Sequence, residues 1–285
     1  MLAELRELWR FRELLFSLVE RELRIRYKNS FFGFLWSLLN PLITVVVITL
    51  VFKNFLRNDT PNLSAYILAA YLPFLFFQMA VMDSSQSVLL SLQLVKKIYF
   101  PREILPLASI LSNLIHLLLA LLVFVAYLIV IYIGDPRIPS IQPTILLLPI
   151  VILINLTLVV GIGFIVSALN TFYEDVKYIV GVLMYLLFFG CPIFYFSENV
   201  WAHSLSRGDG GWSYYLYHLN PVAMLCTAYR KVLVAPQPVK IGDSVYDPLP
   251  LDWGLLGIAA ALSLALMVFG YWLFIRLKWR FVERP

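Results

Sequence analysis

The residues able to do chemistry in this 285-residue chain are few and scattered. Three histidines, His116, His203 and His218, stand far apart, and no His/Cys group has metal-ligand spacing. No HExxH pair is present to build a zinc site, and no GxxxxGK[ST] loop is present to cradle nucleotide phosphates. Glu174 and Asp175 have the types of an acid–base pair, but neighbours on a short connection more often cap a helix or meet a partner. Asp243 and Asp247 are the carboxylates a membrane enzyme would use for a divalent metal or a base, and they lie in a Pro-rich stretch. Asp83 borders a long apolar run, and His116 sits among leucines, where a neutral imidazole bonded to a neighbouring helix is expected. Cys191 and Cys226 are expected to be unpaired and buried. These groups suit binding and docking better than a reaction centre.

The elements that position them are set by an apolar solvent. Hydrophobic residues make up 61% of the chain and charged ones 14%, with a mean hydropathy of +0.84. An ordinary soluble domain carries roughly 25% charge. Charge-free windows recur along the chain, each near the 20 or so residues a helix needs to cross about 30 Å of hydrocarbon. Six transmembrane helices are expected, at 34–55, 65–87, 107–133, 144–168, 178–197 and 254–275, within a single all-α membrane domain covering 1–285. With the N-terminus inside, fifteen of the 22 Lys and Arg residues fall on the cytoplasmic side, as the positive-inside rule requires. Both termini are then cytoplasmic, and the net charge of +5 marks topology rather than nucleic-acid binding. Residues 1–28 lack the uninterrupted apolar core of a cleavable signal.

Residues 1–23 place Leu5, Leu8, Trp9, Leu15 and Leu18 at three- and four-residue steps, predicting an amphipathic helix on the inner membrane surface. Asn40-Pro41 falls near the start of the first span, and Pro73 predicts a kink in the second. Ser84, Ser85, Gln86 and Ser87 either close that span or continue it along a hydrated face. Residues 88–106 read as a short charged cytoplasmic segment, and Gly161 and Gly163 as a point of close helix approach. The stretch 198–252 is rich in Trp and Tyr, which favour the membrane interface; short re-entrant or interfacial outer helices are expected there.

Two segments go beyond a generic membrane protein. Arg26-Tyr27-Lys28-Asn29-Ser30-Phe31-Phe32-Gly33-Phe34-Leu35-Trp36 through Asn40-Pro41 resembles the RYxxSxLGxLWxxLxP stretch of ABC-2-type permeases that export lipid-linked polysaccharides. Lys96-Lys97-Ile98-Tyr99-Phe100-Pro101-Arg102-Glu103-Ile104-Leu105-Pro106 resembles their KxxFPRExLP loop. Where the family often has an Arg-Asp pair, this chain has Tyr173-Glu174-Asp175. The resemblance implies a homodimer with two ABC nucleotide-binding subunits in a bacterial cytoplasmic (inner) membrane. That assembly moves a polyprenyl-diphosphate-linked glycopolymer (O-antigen, capsule or teichoic acid) outward. It implies no cofactor in this chain, with ATP and Mg²⁺ held by the partner.

On that resemblance Lys96, Lys97, Tyr99, Pro101, Arg102, Glu103, Glu174 and Asp175 are expected to couple to the ATPase. Arg24, Arg26 and Lys28 are expected to meet the lipid diphosphate through charge-assisted hydrogen bonds, or to serve only as a positive-inside anchor. Tyr66, Tyr71, Phe74, Phe77, Tyr185, Phe189 and Tyr195, with Phe76, Phe188 and Phe194, are expected to supply a sugar-stacking path. The alternatives are an ABC-2 permease for drugs or small lipids, and a membrane polyprenyl-phosphate glycosyltransferase built on Asp243 and Asp247.

Overall fold

The computed structural model describes residues 2–27, 35–54, 62–134, 142–236, 238–241 and 244–282. Apart from one small hairpin, its regular elements are helices. Two N-terminal helices, α1 (Leu2–Arg10) and α2 (Arg12–Tyr27), meet at Phe11, where a single expected helix divides. Then come α3 (Leu35–Asn54), α4 (Leu63–Leu90), the short α5 (Leu92–Lys97) and α6 (Ile104–Gly134). A 3-10 turn at Pro143–Leu147 leads into α7 (Leu148–Phe172), followed by α8 (Val176–Gly190). A cap of α9 (Ser197–Ser206), α10 (Trp212–His218), α11 (Pro221–Leu233) and the hairpin β1–β2 (Val239–Ile241, Ser244–Tyr246) precedes α12 (Trp253–Lys278).

Among the described residues, α4, α6, the Pro143–Phe172 segment and Trp253–Phe281 are long and apolar enough to cross a membrane. Their apolar residues are not confined to one stripe, the pattern of helices solvated by lipid rather than water. α3 and α8 are shorter apolar helices. The expected span at 178–197 stops at Gly190, because Pro192 has no amide N–H and forces Cys191 into extended backbone (φ −101°, ψ 152°). Fifteen residues of helix reach roughly 22 Å, short of the ~30 Å hydrocarbon core.

α4 is the axis of the bundle. It packs on α3, α6, α7, α8 and α11, and 72% of its most apolar stretch is buried, against 22–28% for the other three long helices. It runs as one helix through Pro73 and on past Asp83 to Leu90. Ser84, Ser85 and Ser87 are buried, not on a hydrated face. Each donates its hydroxyl to the carbonyl three residues back, which lets the small side chains enter the bundle without orphaned polar groups. α7 and α12 cross closely: a Cβ on Gly161 would stand 2.6 Å from the Leu266 carbonyl carbon, and one on Gly270 would strike the Gly161 carbonyl. Gly163 likewise makes room for Ile110 and Ser84.

The cap is held by buried charge. Arg230, 4% exposed, donates to four backbone carbonyls: Tyr66 (3.1 Å), Tyr195 (3.0 Å), Pro192 (2.7 Å) and Ile193 (2.9 Å). Three of these carbonyls belong to the non-helical segment after α8 and one to the first turn of α4. Lys231 binds the Leu249 carbonyl at 2.7 Å and lies 3.6 Å from Glu198. Burial draws both cations below their ordinary pKa, opposed mainly by the Glu198 carboxylate. His218 bonds to the Tyr214 carbonyl and Thr227, and burial holds its imidazole neutral. Cys191 and Cys226 are free and buried.

Candidate functional site

The site is the end of the bundle where α5 emerges. A second apolar cluster gathers there, joining Leu18 and Val19 of α2, Val95, Phe100, Ile104, Phe164, Tyr271, Phe274 and Phe281. Ser91 ends α4 and lets α5 turn away. Ile98 leaves the helix in extended backbone, and the irregular segment after it sends Phe100 into the cluster and buries Pro101. Lys96, Lys97, Ile98 and Tyr99 are thereby left outside; Tyr99 is 74% exposed. A short charged face thus stands on a rigid apolar root.

Ionic contacts tie this root to both ends of the chain. Lys278, at the end of α12, donates to Glu103 Oε1 at 2.7 Å and to Glu4 Oε1 at 3.2 Å. The Lys278 and Glu103 side chains are only 9% and 1% exposed. Arg102 donates to the Lys278 carbonyl, and Tyr99 to Glu7 Oε1 at 3.3 Å. Desolvation lowers the Arg102 pKa, opposed by the Glu103 charge. Glu4, Glu7, Lys96, Tyr99, Arg102 and Lys278 border a cleft of about 350 Å³. Movement of α5 therefore bears directly on α1, α6 and α12.

The expected coupling residues divide in two. Lys96, Lys97 and Tyr99 face outward, as do Glu174 and Asp175 on the α7–α8 elbow. Pro101 and Glu103 point inward, since the start of α6 turns that face to the bundle, and Arg102 is half-buried. The elbow is fixed by Asn170, whose side chain donates to the Ser85 carbonyl (2.9 Å) and accepts from the Lys177 amide (3.0 Å). Neither Asn170 nor the Lys278 contacts stand out in the sequence.

The basic cluster also separates. Arg24 is exposed and pairs with Glu20 at 2.5 Å. Arg26 turns inward, donating to Asp83 Oδ2 and to Asn113 Oδ1 (3.0 Å), while Asn113 donates to Asp83 Oδ2 at 2.8 Å. Lys28 lies outside the described residues, as does Asp243; Asp247 is exposed.

Of the expected path aromatics, Tyr66, Phe74, Phe76 and Phe77 are at most 6% exposed. They fill the core, because α4 is buried on most of its circumference. Tyr66 spends its hydroxyl on the Ala235 carbonyl at 2.5 Å. Tyr185 and Phe189 remain 64% and 56% exposed on α8. Phe188 links Tyr71, Phe74, Phe189 and Phe194 through ring contacts of 5.0–6.2 Å. Tyr195 shares a hydrogen bond with Tyr217 at 2.8 Å.

A helical bundle with several apolar membrane-length helices and a braced, charged projection at one end has the make of a membrane protein with a docking face. The family profile of ABC-2 type transporters matches residues 13–234, and the chain belongs to that family. It is 31% identical over 232 residues to the O-antigen export system permease protein RfbA of Myxococcus xanthus, covering 81% of this chain and 84% of that one. A protein of the same name from Klebsiella pneumoniae is 27% identical over 271 residues, 95% and 94% of the two chains.

Proposed function

We propose that this chain is the membrane subunit of an ATP-driven exporter that moves a polyprenyl-diphosphate-linked O-antigen-type polysaccharide across the bacterial cytoplasmic membrane. The observation that carries the reading is the exposed Lys96–Tyr99 face, rooted by Phe100 and Pro101 and braced to α1 and α12. The relatives' names supply the polymer class. Two copies assemble with two separate ABC subunits, which bind ATP and Mg²⁺. Each chain contributes six spans, α3 among them and α8 completing its crossing with the non-helical residues that follow Gly190, with both termini cytoplasmic.

Within this assembly the chain's own residues do mechanical and electrostatic work. Lys96, Lys97 and Tyr99, with Glu174 and Asp175 on the second elbow, meet the ATPase. Glu103, Arg102 and Lys278 pass its movement to α6 and α12. Arg24, Arg26 and Lys28 receive the diphosphate at the cytoplasmic surface. Tyr185, Phe189, Tyr71 and Tyr195 offer ring faces and hydroxyls to passing sugars, with Phe188 and Phe194 behind them.

Co-expression of the tagged chain with a candidate ABC ATPase subunit from the same genome tests the reading. A stable complex is expected from the parent, and Lys96→Ala/Lys97→Ala/Tyr99→Ala should lower its recovery without altering the permease's own melting. Equal recovery of ATPase by parent and variant would refute the assigned docking face.

A further inference from the structure

A cleft of about 300 Å³ lies between α3, α4 and α6, and its two ends differ in chemistry. Trp36, Leu75, Phe76 and Met79 give it apolar walls, while Arg26 and Asn113 stand at its polar end beside Asn40 and His116. α3 forms one wall of it, and Ile43, Val46, Val47 and Leu50 on the same helix are all 53–56% exposed. Arg26 closes the polar end with a guanidinium already bound to an oxyanion. Asp83 Oδ2 accepts from both Arg26 and Asn113. The pair is within reach of an incoming ligand, with side-chain exposures of 27% and 39%.

We infer that this cleft binds one chain of a phosphate-headed lipid, with the phosphate taking the place of the Asp83 carboxylate on Arg26 and Asn113. A phosphate oxygen is the same kind of acceptor as the carboxylate oxygen it replaces, and a guanidinium binds either in the same fork geometry. The apolar walls remove the adjoining hydrocarbon from contact with polar groups, so headgroup and chain are recognised together. Asp83 is the internal stand-in that neutralises Arg26 while the cleft is empty, since an unpaired cation in a low-dielectric site is costly. Displaced, it turns toward the solvent that already reaches it. A neutral or cationic headgroup gains nothing by the exchange. Naming the lipid as a polyprenyl substrate rests on the exporter reading; the site itself does not.

The test uses the full chain in phosphate-free dodecyl maltoside micelles and a diazirine-bearing farnesyl diphosphate. Irradiation should label peptides covering 36–41, 71–79 and 113–120. Farnesyl diphosphate should compete, whereas farnesol and inorganic diphosphate should not. Arg26→Gln should weaken labelling about ten-fold, the scale of a lost charge-assisted hydrogen bond, and Asp83→Asn should strengthen it by removing the competitor. Because each single change unbalances a charge, Arg26→Gln/Asp83→Asn is the decisive variant: it keeps the node neutral and should fold, yet be labelled about ten-fold less than Asp83→Asn. Labelling at other helices, or undiminished labelling of the double variant, overturns the inference. Competition by phosphatidylglycerol assigns the site to phosphate-headed lipids in general; its failure assigns it to isoprenoid diphosphates. ATP-driven export, measured separately, distinguishes the two readings. Arg26-dependent labelling without export sinks the exporter and keeps the site; export with Arg26-independent labelling does the reverse.

Discussion

Replacing Lys278 by Met removes the cation that bridges two carboxylates, Glu103 at 2.7 Å and Glu4 at 3.2 Å. Glu103 is 1% exposed, so its charge, once stranded, has no water to turn to. A stranded buried carboxylate takes up a proton instead, which sets a ceiling on the damage. Protonating an ordinary glutamate of pKa near 4.3 costs about 3.7 kcal/mol at pH 7 and about 1.6 kcal/mol at pH 5.5. The sign follows: a carboxyl whose folded-state pKa is raised loses stability as pH climbs above its unfolded value, so Lys278→Met is hurt more at pH 7 than at pH 5.5. At roughly 2–4 °C per kcal/mol the pH 7 loss is about 10 °C in melting temperature. Lys278→Met/Glu103→Gln should recover most of it, because removing both charges of a buried pair is far less harmful than removing one. Melting of the purified chain in detergent at the two pH values gives the answer. A single variant as stable as the parent at pH 7, or a double variant no better than the single, would refute the reasoning.

Arg230→Met should destabilise the cap by at least about 3 kcal/mol, since four carbonyls lose a charged donor. Limited proteolysis between α8 and α12 reads it, and unchanged resistance would count against the cap's dependence on this residue. Gly161→Ala should force α7 and α12 apart, given the 2.6 Å approach to Leu266; a melting temperature equal to the parent's would contradict that crossing. Asp209 accepts from the hydroxyls of Ser204 and Ser213 and from the Gly211 and Ser213 amides, which depress its pKa to about 2. Its support for the start of α10 is complete above the ordinary value near 3.9 and is lost as pH falls through about 2. Asp209→Asn should lower the exchange protection of the 211–213 amides at neutral pH, and equal protection in parent and variant would exclude the cap.

The long helices were legible because the bilayer demands runs without charge, a constraint written locally in the chain. The break at Gly190–Pro192 was legible too, in proline chemistry, although the apolar run continuing to residue 197 masked it. What the sequence hid was the destination of its charges. Lys278 stands in a run of basic residues near Arg276 and Arg280, and Arg230 beside Lys231 in an aromatic-rich stretch, with nothing local to mark either. Their partners lie 175 and 164 positions away, at Glu103 and Tyr66, beyond any local pattern. Arg26 stood in a basic run, yet its acceptor Asp83 is 57 residues on. The serines at 84–87 suggested water for the same reason: hydroxyls satisfied by their own helix are indistinguishable by type from hydrated ones. Gly161 and Gly163 were read correctly as contact points, because a missing side chain has few other uses in mid-helix.

The proposal of an exporter that moves a lipid-linked glycopolymer only when driven by a separate ATPase has a direct test. Inverted membrane vesicles containing the chain, its ABC subunit and radiolabelled lipid-linked polymer measure it directly. The account predicts that polymer becomes protected inside the vesicles on addition of Mg-ATP, and that protection disappears with Lys96→Ala/Lys97→Ala/Tyr99→Ala. Protection that develops equally without ATP, or with the ABC subunit omitted, would contradict it.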